Sequence, residues 1–154
     1  MLKKILNKFI LFCLARKGIV QNIIDENDEV SIKRHMPFGY DEFIDAQGRV
    51  RRPLKWYRPA GFLIHRWLKS DGAAFHDHPR WSITICLRGE MTEVTPWNRK
   101  ILKPGSVVIR SRKAIHRFEI EPKFKGKTWT LFIVGRRRHK QNYYFIKSMY
   151  PTGE

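Results

Sequence analysis

A chain of 154 residues that is 42% hydrophobic can bury one packed core, and its length matches a single domain. Its 31 Lys and Arg against 14 Asp and Glu leave a formal charge of +17, which favours anionic partners: nucleic acid, an anionic membrane surface, or a small phosphorylated or carboxylated molecule. No apolar run reaches the roughly 20 residues that cross a bilayer, and Cys13 and Cys86 lie in unlike segments far apart, which excludes a disulfide framework and suits a reducing, cytoplasmic setting.

Leu2, Ile5, Leu6, Phe9, Phe12 and Cys13 recur at helical spacing, so residues 1–17 are expected to form an amphipathic helix stopped at Gly18, with Lys3, Lys4, Asn7 and Lys8 around its other side. Basic residues before Phe9 to Ala15 imitate an export signal. The apolar stretch is short, however, and Arg16-Lys17 follows it with no small-residue cleavage site, so export is not expected. Such a helix packs on the outside of a domain or on a partner subunit of a homodimer, or lies on a membrane surface.

Asp25 to Glu29 reads as an acidic loop and Val30 to Arg34 as a short strand. Tyr40 to Asp45, the turn Ala46-Gln47-Gly48 and Arg49 to Tyr57, broken by Pro53, form an irregular hairpin. Gly61 to Leu68 alternates Phe62, Ile64, Arg66 and Leu68 against Leu63, His65 and Trp67, a better strand, ending at the turn Ser70-Asp71-Gly72. Short strands then continue at regular spacing: Ser82 to Leu87 entering a hairpin at Gly89, Glu90 to Thr95, a loop at Pro96-Trp97-Asn98, Arg99 to Leu102, Val107 to Arg110, His116 to Ile120 and Thr128 to Val134. That spacing makes the fold class all-β, a sandwich or barrel with one helix in front. The helical element occupies residues 1–20 and the β domain residues 30–150. Arg136 to Lys140, next to Tyr143 and Tyr144, supplies charge and stacking surface for non-specific nucleic-acid binding, without a recognised motif.

The chemistry gathers at Phe75-His76-Asp77-His78-Pro79-Arg80-Trp81. Residues i and i+2 of a strand leave the same face about 6.5 Å apart, so both imidazoles can turn toward one metal ion. A third histidine, His116, follows Gly105. Together these resemble the cupin superfamily, whose first motif is G-x5-H-x-H-x3-4-E-x6-G and second G-x5-P-x-G-x2-H-x3-N. His76, His78 and Gly89 match the first motif, and Gly105 and His116 the second, with fifteen residues between the two glycines. Ser82 stands at the family's glutamate and Ser70 at its leading glycine. Ser111 and Lys113 replace the second motif's proline and glycine, and Ile120 its asparagine.

The resemblance covers about residues 60–135 and implies a cupin jelly-roll β-barrel with His76, His78 and His116 as metal ligands. A three-histidine set is similar to that of the thiol dioxygenases, of which cysteine dioxygenase is the best known, and so implies Fe(II), with Zn, Ni or Mn as alternatives. His-Asp-His-Pro before a hydrophobic strand also looks like short cupins of bacteria and their phages, where His65-Arg66-Trp67, Ser70-Asp71 and Thr128 to Phe132 have counterparts.

Strand alternation places Ser82, Thr84 and Cys86 on the face of His76 and His78, and Arg80 with them. Arg110 and Arg112 share a face before the loop to His116, and such guanidinium groups would hold a carboxylate or phosphate. Cys86 is a ligand, a redox partner or a small hydrophobe. His65 is either a structural hydrogen-bonding residue or a catalytic one. Glu93 and Glu90 are exposed hairpin residues unless one replaces the missing carboxylate. The reading is a mononuclear metal-dependent oxygenase for a small anionic substrate. Its rivals are metal-assisted isomerisation or hydrolysis, and a non-enzymatic module that captures a nucleotide, a sugar phosphate, or a phage or host partner.

Overall fold

The computed structural model of the protein describes residues 1–16, 19–24, 28–37, 43–44, 50–51, 61–71, 75–78 and 80–135. Helix α1 (Leu2–Ala15) precedes eleven strands: β1 (Ile19–Ile24), β2 (Val30–Met36), β3 (Phe43–Ile44), β4 (Val50–Arg51), β5 (Gly61–Trp67), β6 (Ser82–Arg88), β7 (Met91–Val94), β8 (Arg99–Leu102), β9 (Val107–Arg110), β10 (Arg117–Glu119) and β11 (Thr128–Val134). The all-β expectation with one leading helix holds. The short pair β3–β4 joins the two arms of the hairpin expected around residues 46–48. Most of that hairpin, residues 25–27 of the acidic loop, and the basic cluster Arg136 to Lys140 with Tyr143 and Tyr144 lie outside the described residues.

Six strands form one sheet in the order β1-β2-β5-β11-β6-β9, and β10-β7-β8 forms a second; all the pairings are antiparallel. On the large sheet, Thr128, Thr130, Phe132 and Val134 alternate inward, in register with Trp67, His65 and Leu63 on one side and Cys86, Thr84 and Ser82 on the other. Period-two alternation therefore turns one face inward and leaves the other for the helix. Ile32, Trp67 and Cys86 from the large sheet meet Met91, Leu102 and Phe118 of the small one, so both sheets share an interior. On the opposite face, Ile10 and Cys13 of α1 pack with Ile64 and Leu87, with Trp129 and Leu131 alongside. The helix thus docks on the outside of the strands, one of its expected placements.

One expectation changes, and one strand joins the expected set: β1, whose Ile19-Val20-Gln21-Asn22-Ile23-Ile24 lacks strict alternation, pairs with β2 along its whole length at the sheet edge. The turn at Gly89 does not close a hairpin. β6 pairs with β11 and β9, while β7 pairs with β8 and β10, so the chain crosses there from one sheet to the other. Gly89 has φ 73°, and a Cβ would sit 2.7 Å from the Thr128 Cα and 2.6 Å from its Oγ1, which is why a glycine stands at this crossing. The hairpin lies one step later, between β7 and β8, where the Thr95 amide donates to Asn98 O (2.8 Å) and the Asn98 amide to Thr95 Oγ1 (3.0 Å).

Candidate metal centre

His76 and His78 do not lie in β6 itself but in the extended segment before it. His76 forms a two-way backbone bridge with His116: each amide donates to the other's carbonyl at 3.0 Å. That bridge joins residues forty positions apart and brings the third histidine to the first two. The three rings meet edge to face with centroids 5.0 to 5.2 Å apart. One nitrogen from each lies within 4.8 Å of the others, and among the described residues this is the cluster of ligating side chains placed to hold an ion.

His78 Nε2 and His116 Nε2 face each other at 2.9 Å. Two ligands about 2.1 Å from a common ion at right angles would be separated by about 3 Å, so the spacing of this pair suits two ligands of one divalent metal. Burial, followed by the neighbouring His116 and His76, pushes the pKa of His78 well below the ordinary imidazole value. Burial lowers that of His116 too, against the opposing pull of Glu93. Both rings are therefore neutral at physiological pH, the form that ligates metals.

Behind this cluster stands a polar network that sequence reasoning did not assemble. Glu93 is buried rather than an exposed hairpin residue, because Met91 and Glu93 share the inward face of β7. Its Oε1 lies 3.3 Å from His116 Nδ1, on the side of the ring away from His78, so it stands behind the cluster and not among its facing nitrogens. Glu93 also pairs with Arg110, whose Nε donates to Oε1. Arg110 Nη1 donates to Thr84 Oγ1 at 2.6 Å. β9 lies in the large sheet and β7 in the small one, so this ion pair spans the interior between them. Burial would raise the Glu93 carboxyl, but the His116 ring beside it and the Arg110 guanidinium outweigh it and hold the group at about 2. On the other flank, Asp71 Oδ2 is 3.8 Å from His76 Nε2, and the Phe118 amide donates to Asp71 Oδ1 at 2.7 Å. Burial pushes the Asp71 carboxyl up to about 7, against the Phe118 amide. Alternation along β7 was the available signal for Glu93; nothing local points to Asp71.

The other candidates divide by position. Ser82 and Thr84 are buried on the inner face of β6, Ser82 directly opposite Arg110 in register. Arg80 Nη1 donates to Gly135 O at 3.1 Å, and Arg112 is half-buried in the turn after β9. Cys86 is a core residue at the far end of β6, packed with Trp67, Met91 and Phe118, its thiol raised to about 11 by burial. Glu90 sits at the sheet crossing, where its carbonyl accepts from Thr128 Oγ1, 2.9 Å away. That is the end of β6 opposite to the histidines.

His65 is buried, accepts from Arg34 Nε at its Nε2 (3.0 Å) and stacks on Phe132, ring centroids 5.3 Å apart. Burial, then Arg34, holds its pKa well below the ordinary value. A histidine kept neutral in the fold contributes stability that is complete above the unfolded pKa near 6.5 and is lost as pH falls toward its folded value. Denaturant unfolding of metal-free protein should therefore show about 1 kcal/mol less stability near pH 5.5 than near pH 6.5 from this residue. His65→Gln, which keeps an acceptor for Arg34, should lose that component. An identical pH slope in wild type and variant would count against it.

No protein-family model matches the chain, and no curated protein matches it in sequence. Solved structures do match it in shape. An RmlC-like cupin from Shewanella frigidimarina superposes with TM-score 0.51 at 13% identity, covering 79% of this chain and 87% of that one. This chain has a cupin fold. The polyketide cyclase RemF from Streptomyces resistomycificus matches with TM-score 0.55 at 13% identity, over 84% of this chain and 80% of RemF. Fe(II) HppE matches with TM-score 0.53 at 14% identity over 77% of this chain, which spans 56% of HppE.

Proposed function

We propose that this cupin is a mononuclear metal-dependent enzyme in which His76, His78 and His116 hold a divalent ion, Fe(II) as the first choice, and that it acts as an oxygenase on a small anionic substrate. The observation that carries the reading is three mutually facing imidazoles with no carboxylate among them. In a cupin the two sheets would be the walls of a jelly-roll barrel, with the cluster on its inner side. An iron ion bound there would supply Lewis acidity and redox chemistry with dioxygen, and HppE is an Fe(II) protein of similar fold.

The chain's own residues do the positioning. Glu93 flanks His116 at Nδ1 and leaves Nε2 for the ion, whereas Asp71 lies 3.8 Å from His76 Nε2 and leaves that ring's Nδ1. Because Glu93 and Arg110 neutralise each other, neutral ligands leave most of the ion's charge uncompensated, which favours a carboxylate, enolate or thiolate substrate. Ser82, Thr84 and Arg110 supply polar groups on the inner side, and Arg80 or Arg112 would hold a second acidic group. A second reading, in which the ion polarises a substrate without redox change, draws on RemF, a cyclase on the same fold.

Ser82→Glu separates these roles. It adds a carboxylate at a buried position, so in metal-free protein it should be destabilising by several kcal/mol, and added metal should recover more stability than in wild type. Affinity for anionic ligands should fall. The activity test is oxygen consumption by Fe(II)-loaded protein over a panel of small thiols and acids. No consumption with any compound, or equal consumption in wild type and His116→Ala, would sink the oxygenase; turnover without oxygen uptake would establish the second reading.

A further inference from the structure

Helix α1 uses one side to cover the large sheet and leaves an unusual other side. Ile10 and Cys13 are buried against the strands, with Leu6, Phe9 and Leu14 at the margins. Outward, Leu2, Ile5, Leu11 and Phe12 are 52%, 55%, 66% and 53% exposed. Ile5 and Phe12 are seven residues apart and so lie on one line along the helix, with the exposed Lys4 and Lys8 in the adjoining rows. The Arg16 guanidinium lies 5.7 Å from the Phe12 ring centre. Residues 1–24 contain no Asp or Glu. The first helix therefore presents large apolar side chains interleaved with cations and has no acidic residue of its own.

We infer that the outward face of α1 is a docking surface for anionic lipid headgroups, with Ile5 and Phe12 entering the interface and Lys4 and Lys8 meeting the phosphates. The two halves of the pattern point to the same partner. A second copy would bring two cationic faces together, which the charge opposes. A nucleic acid would satisfy the lysines but has no apolar phase for Ile5, Leu11 and Phe12. A membrane surface takes both, because long basic side chains extend their ammonium groups to the headgroups while apolar neighbours sink below them. α1 has 14 residues and is already fixed to the sheet by Ile10 and Cys13, so the surface is preformed and lies flat rather than spanning. This inference is independent of the metal centre, which lies on the opposite, inner face of the strands.

The test is co-sedimentation of the full chain with vesicles of phosphatidylcholine alone and of phosphatidylcholine mixed equally with phosphatidylglycerol. Binding is expected only to the mixed vesicles, weakening with salt, and falling about tenfold or more both in I5Q/F12Q and in K4Q/K8Q. The substituted side chains are exposed, so circular dichroism should be unchanged in both variants. Failure to bind the mixed vesicles would overturn the inference. So would equal binding by wild type and I5Q/F12Q, which would reduce the effect to charge alone. Two further results would also overturn it: a single-stranded oligonucleotide that displaces the vesicles and binds I5Q/F12Q as tightly as wild type, and concentration-dependent dimerisation lost in I5Q/F12Q without vesicle binding.

Discussion

Replacing His116 by alanine is expected to empty the metal centre. Wild type purified without a chelating tag should carry about one transition-metal ion per chain, and His116→Ala close to none. The expectation rests on place as well as chemistry. His116 is fully buried, its backbone is bridged to His76, its Nδ1 faces Glu93, and its Nε2 is 2.9 Å from that of His78, so no neighbouring side chain can move in to replace it. Loss of the ring also opens a cavity against Phe118, 5.0 Å away between centroids, at a cost of about 2 to 3 kcal/mol. Elemental analysis beside a thermal melt separates the two effects. Stoichiometric metal in a folded His116→Ala protein, and again in the triple variant with His76→Ala and His78→Ala, would place the site elsewhere.

Glu93→Ala should be the most damaging single change outside the three histidines. It leaves the Arg110 guanidinium buried without a counter-charge, a situation that costs about 3 to 5 kcal/mol. It also removes the carboxylate behind His116, which should weaken metal binding about 10- to 100-fold. The two losses can be pulled apart. Glu93→Ala with Arg110→Met replaces the ion pair by apolar groups and should recover much of the stability, whereas metal affinity should stay low because His116 still lacks its support. Recovery of both together would mean that Glu93 acts only as Arg110's partner. The acid limb of the stability curve carries the same signature. With its folded pKa held at about 2, Glu93 contributes stability that is present above its unfolded value near 4.5 and is lost as pH falls toward 2. Glu93→Ala should flatten that limb.

Much of this protein was legible in its residues because the signals are local. Alternation in Gly61–Trp67, Ser82–Arg88 and Thr128–Val134 marks strands with one inward face, and helical spacing marks α1 itself, although Leu2, Ile5 and Phe12 of its expected apolar face are exposed and Ile10 is buried in their place. His76 and His78 announce a shared ligand direction by being two residues apart. Only the tertiary structure decided the rest. Whether β6 closes a hairpin or crosses to the second sheet depends on which partners compete for its backbone amides, and β11 and β9, both later in the chain, win that competition over β7. Glu93, Arg110 and Thr84 lie on three strands in two sheets, and no spacing in sequence relates them. Burial then fixes their chemistry: a carboxylate read as solvent-exposed becomes the support of a ligand, and a thiol placed by alternation beside the histidines becomes core, because a seven-residue strand carries Cys86 to its far end.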